Sequence, residues 1–215
     1  MKPRVMFGVF ICLTFSLGAC STPQFQTLKI LDSPNRVIAL QAMPKAYGGN
    51  GYDHPIRLTT DDMIQILQGV RVERGMLSSS SHRALSDTEI QLLAPHFVKA
   101  LQQATNEEIV TFFETAEIDG EHQLTTSGGL FVAGGNFHIV LSNFSVKTRI
   151  WQDNERYEVS YRNRPLEQMD PQPGRLRYEP FQFMVKSPEG EIGSHFQGKP
   201  WQVAIRYKEV LESLK

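Results

Sequence analysis

The spacing at which apolar residues recur shifts near residue 105, and that shift constrains the fold more than any other feature. Before it, Met63, Ile66, Leu67 and Val70 repeat on one helical face, and so do Ile90, Leu93, Ala94, Phe97, Leu101 and Ala104. After it the chain turns β-branched and aromatic, beginning with Ile109–Phe113. Helices followed by strands, without regular alternation between the two, predict an α+β fold: N-terminal helices packed on an antiparallel β-sheet.

Local signals set the expected boundaries. Thr60, with Asp61 and Asp62 behind it, reads as a helix start. Ser86-Asp87-Thr88-Glu89 is a capping box, in which Ser86 bonds forward and Glu89 reaches back. Pro95 within the following run predicts a kink or two abutting helices. Thr105-Asn106-Glu107-Glu108 repeats the box and predicts one more short turn. Val37–Leu40 reads as a first strand, followed by a Pro/Gly-rich loop over Met43–Pro55. Further strands are expected over Ile109–Ile118, over Leu130–Ala133 and Phe137–Val146 flanking Gly134-Gly135-Asn136, and over Arg156–Arg162. A loop with three prolines covers Asn163–Gly174, and Arg175–Lys186 reads as a strand disturbed by Pro180. Residues 200–214 fit either period; Pro200 at a first-turn position favours a C-terminal helix.

The N-terminus carries a different kind of pattern. Lys2 and Arg4 precede a charge-free run, Val5–Leu17, of the length of a signal-peptide core and too short to span a bilayer. The run closes on Leu17-Gly18-Ala19-Cys20, which resembles the lipobox of bacterial lipoproteins. That resemblance implies cleavage between Ala19 and Cys20, diacylglyceryl transfer to the Cys20 thiol and acylation of the new amine. It further implies that Ser21, in place of an aspartate, directs the product to the outer membrane, facing the periplasm, in a Gram-negative host. Two or three acyl chains make attachment durable, at about 0.8 kcal/mol per buried methylene.

The expected organisation is therefore a signal peptide over 1–19, a lipidated tether over 20–34 and one domain over 35–215. Cys12 leaves with the signal, so the mature chain holds no pair of cysteines and its core must stand without an internal disulfide. With 40% hydrophobic residues and a net charge of -1, the chain reads as globular and lacks the basic excess of a nucleic-acid binder.

No phosphate-loop, H-E-x-x-H, C-x-x-C or G-x-S-x-G motif is present, and no catalytic residue, metal or cofactor is assigned. Two polar clusters stand out. Asp119-Gly120-Glu121-His122 offers two carboxylates and an imidazole to a cation, although a polar turn between strands needs the same residues. Tyr52-Asp53-His54-Pro55 is equally explained as a loop entering a helix. Gly48-Gly49 and Gly128-Gly129 are candidate anion cradles, or simply glycines that a turn requires. Lys147, Arg149, Arg156, Arg162, Arg164, Arg175 and Arg177 form a basic stretch. Cross-strand ion pairing is the ordinary reading of it; the functional one is a basic face for an acidic partner or lipid headgroups. The expectation from the sequence is a membrane-anchored envelope component that binds or scaffolds a protein partner without catalysis. A carrier of an apolar ligand is the alternative, and an enzyme with a cryptic polar site comes third.

Overall fold

The computed structural model describes residues 26–43, 51–74, 81–150, 161–185 and 201–213. Cys20, the signal run and residues 156–160 of the expected strand lie outside them.

The elements run β1 (Gln26–Ser33), β2 (Arg36–Ala42), α1 (Thr60–Gln68), β3 (Val70–Arg74), β4 (Ser81–Arg83), α2 (Asp87–Gln103), β5 (Glu108–Asp119), β6 (His122–Ala133) and β7 (Asn136–Arg149). They end with β8 (Gly174–Tyr178), β9 (Trp201–Ile205) and α3 (Tyr207–Ser213). Six strands form one sheet in the order β1-β2-β5-β6-β7-β9, three form a second in the order β4-β3-β8, and every neighbouring pair is antiparallel.

The expected α+β class is corrected by this arrangement. Among the described residues the protein is mostly β, 48% strand against 26% helix, and it has two sheets rather than one. The helices do not form a leading layer, because β1 and β2 precede them. The reason is that the strands following α2 are long, 12 to 14 residues each in β5, β6 and β7, whereas α1 and α3 are only 9 and 7 residues long.

Each helix begins where its local chemistry dictates. The α1 cap is Thr59 rather than Thr60: its hydroxyl accepts from the Asp62 N–H at 3.1 Å, and the Asp62 carboxylate accepts from the Thr59 N–H at 2.8 Å. Val70, expected on the helix, instead opens β3. The Ser86–Glu89 box forms as the sequence predicts. Pro95 does not divide α2, which runs unbroken to Gln103. Pro95 and Gln91 are both exposed, which places the carbonyl that the missing N–H leaves behind on the solvent side of the helix. The Thr105–Glu108 box closes a turn that leads directly into β5, with the Glu108 carboxylate accepting from both the N–H and the hydroxyl of Thr105 at 3.0 Å.

The main core lies between one face of the large sheet and the helices. Met63 and Ile66 of α1 and Leu93, Phe97 and Leu101 of α2 meet Ile38, Phe112, Leu130 and Ile139 from the strands. Strand alternation sends Ile109, Phe131 and Val140 to the opposite face, where Leu166 covers them, and it sends Val37, Ala39 and Phe113 beneath Tyr161 and Met169. Residues 161–163 are helical, which corrects the end of the strand expected over Arg156–Arg162.

Three further expectations change. Residues 26–33, read as tether, are the edge strand β1; register shifts between Gln26 and Leu28 and between Lys29 and Leu31 interrupt its pairing with β2. Of the C-terminal helix expected over 200–214, residues 201–205 instead pair with β7, turning Trp201, Val203 and Ile205 to the core, and only Tyr207–Ser213 is helical. The strand expected over Arg175–Lys186 is shorter than its sequence run, ending at Tyr178 ahead of a helical turn at Phe181–Phe183.

Candidate functional site

The polar cluster that the fold places most deliberately is Tyr52-Asp53-His54, at the end of the large sheet. The Gly134-Gly135 turn, with both φ angles positive at 56° and 74°, joins β6 to β7 beside it. The Gly135 N–H donates to the Asp53 carboxylate at 2.7 Å, the Asp53 N–H to the Val132 carbonyl at 2.8 Å, and the Tyr52 N–H to the Asn106 carbonyl at 2.9 Å.

His54 is buried where β5 and β6 part. The last pair of their ladder on this side is Val110 with Leu130. Two residues further on, the imidazole stands between the strands. Its Nδ1 lies 2.8 Å from the Glu108 carbonyl oxygen, and its Nε2 lies 3.0 Å from the Val132 nitrogen. A carbonyl only accepts and an N–H only donates, so the partners fix a neutral ring protonated on Nδ1. Burial holds its pKa below the ordinary histidine value, against opposing pulls from the Glu108 carbonyl and the Asp53 carboxylate. Burial also works to raise the Glu108 carboxyl, but hydrogen bonds from Thr27 and Thr105 outweigh it and leave that group lowered.

Three rings continue from His54 across the outer face. Tyr52 stacks on His54 at 5.7 Å and meets Phe131 at 5.0 Å; Phe131 lies parallel to His138 at 4.8 Å. Burial pushes the Tyr52 hydroxyl up to about 12 and holds His138 down. The His138 nitrogens are engaged at 3.3 Å by the Ala133 carbonyl and by the Gln202 side chain. Both histidines therefore use both ring nitrogens as braces, and neither has one left for a substrate proton.

At the β5–β6 turn, Asp119 and His122 come together, but for the turn itself. The Asp119 carboxylate accepts from the N–H groups of Glu121 and His122 at 2.9 and 2.8 Å and from His122 Nδ1 at 2.9 Å. The Glu121 N–H, with help from His122, lowers its pKa. Among the described residues, no group of three or more His, Cys, Asp and Glu side chains is placed to hold a metal ion.

The remaining candidates are dispersed. Gly128 and Gly129 sit inside β6 with partners on both sides, so their amides belong to ladders. Gly128 is there because a Cβ would lie 2.0 Å from the Val140 carbonyl oxygen. Gly48, Gly49 and Arg156 fall outside the described residues. Four arginines of the basic stretch are engaged: Arg162 with Asp32, Arg164 with Glu167, and Arg175 and Arg177 together with Glu73.

One structural group had no sequence signal. Asn143 donates to the Ser127 hydroxyl at 2.8 Å and to the Glu167 carbonyl at 2.7 Å, and accepts from the Met169 N–H at 2.8 Å. Gln172 adds a two-point pairing with the Phe144 backbone, at 2.8 and 3.0 Å. Together they bind the 163–172 segment across the outer face of the sheet. In comparisons with known proteins, no family model, no curated protein and no solved structure matches this chain.

Proposed function

We propose that this protein is a lipid-anchored component of a bacterial cell envelope, held to the membrane through Cys20, whose folded part binds or scaffolds another envelope protein without catalysis. The observation that carries the reading is the order of the first twenty residues: two basic residues, the uncharged run Val5–Leu17, then Gly18, Ala19 and a cysteine. With Ser21 after the cysteine, the proposed address is the periplasmic face of the outer membrane of a Gram-negative host. The non-catalytic part is supported by the use made of the polar clusters, His54, His138 and Asp119 all being spent on holding loops and turns. Among the described residues no helix is long and apolar enough to cross a membrane.

The test is metabolic labelling with a radioactive or clickable fatty acid, followed by membrane fractionation, for the full-length chain and its Cys20→Ala variant. Acyl label and membrane recovery in the parent chain, both lost in the variant, are expected. A variant that stays with the membrane, or a parent chain without acyl mass at Cys20, overturns the assignment.

A further inference from the structure

The His54 ring occupies a position where a strand pair would otherwise close on itself. Glu108 and Val132 stand opposite each other two residues beyond the Val110–Leu130 pair, and the imidazole relays between them, donating to one and accepting from the other. The relay works in one protonation state only. With a second ring proton, Nε2–H would point at the Val132 N–H, two donors face to face in a buried gap, and the ring must leave.

What the ring secures is the segment 51–56. Its other ties are the backbone bonds of Tyr52 to Asn106, Asp53 to Val132 and Ile56 to Leu101, with the Asp53 carboxylate on Gly135. These ties all lie within a few residues of the ring, and one of them, the Asp53 N–H to the Val132 carbonyl, converges with the imidazole on Val132. The strand pairs of the sheet interior, such as Phe112 with Gly128 and Gly128 with Leu141, use none of them.

We propose that His54 is an acid-operated latch: gain of a second ring proton ejects the imidazole from between β5 and β6 and releases residues 51–56 from the sheet end, while the sheet stays folded. Release uncovers the face of Tyr52 turned to Phe131 and frees the Val132 N–H and carbonyl together, a short length of open strand backbone able to pair with an extended chain.

The charged and titratable groups around the latch favour a response in mild acid rather than none. On its own segment Asp53 attracts the proton, and from the β5 side Glu108 does the same. From β7, His138 faces the cluster through Phe131 and is itself held neutral by burial. Tyr52 and, on α3, Tyr207 are uncharged through this range, with their hydroxyls pushed upward. Because the closed ring's pKa lies below that of an open one, the closed state is fully favoured above the ordinary histidine value of 6.5 and is lost as pH falls through the closed value.

The experiment is hydrogen–deuterium exchange of the full-length protein from pH 7.5 to 5, corrected for the intrinsic pH dependence of amide exchange. The parent chain is run beside His54→Gln, whose amide both donates and accepts without titrating, and beside His138→Gln. Exchange of the Val132 amide is expected to rise about tenfold for each unit separating the closed and open pKa values. The interior amides of Phe112 and Ile139 stay protected, His54→Gln removes the rise, and His138→Gln retains it. The proposal is overturned if Val132 stays protected throughout, if interior amides lose protection with it, or if His138→Gln alone removes the rise. His54→Gln need not fold for the parent-chain result to decide.

Discussion

Removing the Asn143 side chain should loosen the 163–172 segment at a cost that the structure lets one estimate. Asn143 is 1% exposed and makes three hydrogen bonds, two donated and one accepted. Each such bond contributes about 0.5–1.5 kcal/mol net, and the upper end applies where the deserted partner stays dry. Glu167 and Met169 are half-buried, so water reaches their carbonyl and N–H once the segment shifts, whereas Ser127 is fully buried and keeps its bond to the Pro165 carbonyl at 2.8 Å. The expected loss for Asn143→Ala is therefore about 2–3 kcal/mol, roughly a 30- to 150-fold fall in the folding equilibrium. Urea titration followed by fluorescence and circular dichroism measures it, with the m-value checked for constancy. Ser127→Ala, alone and combined with Asn143→Ala, completes a cycle that isolates the 2.8 Å contact, expected to couple by about 0.5–1.5 kcal/mol. A single-variant loss under about 0.5 kcal/mol together with no coupling would refute the view that this amide holds the segment down.

Three further outcomes follow from particular contacts. Gly128→Ala places a Cβ against the Val140 carbonyl, a backbone atom that cannot swing aside, and should cost at least about 3 kcal/mol or abolish soluble expression; a normal melting temperature contradicts this. Ser86→Ala removes the α2 cap and should cost about 1 kcal/mol, while Ser86→Asp, which restores an acceptor beside the helix N-terminus, should recover most of it by thermal unfolding. Burial raises the Glu114 carboxyl in spite of the Arg36 guanidinium beside it, and one of its oxygens has no hydrogen-bond partner. A raised acid favours the folded state more as pH falls toward the ordinary carboxylate range, so the parent chain should gain from this group on acidification and Glu114→Gln should lose that gain. Matched pH-stability curves for the two proteins decide it.

What the sequence made legible was local. The Ser86–Glu89 box closes within three residues, and Gly134-Gly135 fixes its hairpin through φ angles available to glycine, so both could be read directly. The class was misjudged because strand content depends on partners far away. The polar run Gln26–Ser33 has too few apolar residues to announce a strand, yet β2 supplies it with a pairing edge. The run from Trp201 carries a period of two because β7 lies alongside it, with partners such as Phe137 and Ile205 far apart in sequence. The same holds at the polar sites. Asp119 and His122 are neighbours in sequence and were found; the partners of His54 lie 54 and 78 residues away, so its place between two strands has no local trace. Glu73 pairs with Arg175 from 102 residues upstream, so the ion pairing expected of the basic stretch could not be given its partner from the sequence.

The irregular border made by residues 26–33 has a consequence for a chain proposed to be anchored on a membrane surface. An unbroken border would offer evenly spaced donors and acceptors, and neighbouring copies could zip together along it. Here two slips in spacing within eight residues put those groups out of step with any straight partner. The Lys29–Asp32 ion pair adds charge to the same margin, and the Arg162 guanidinium clasps its far end at Ser33 and Pro34. An edge of this kind disfavours edge-to-edge pairing into a continuous sheet.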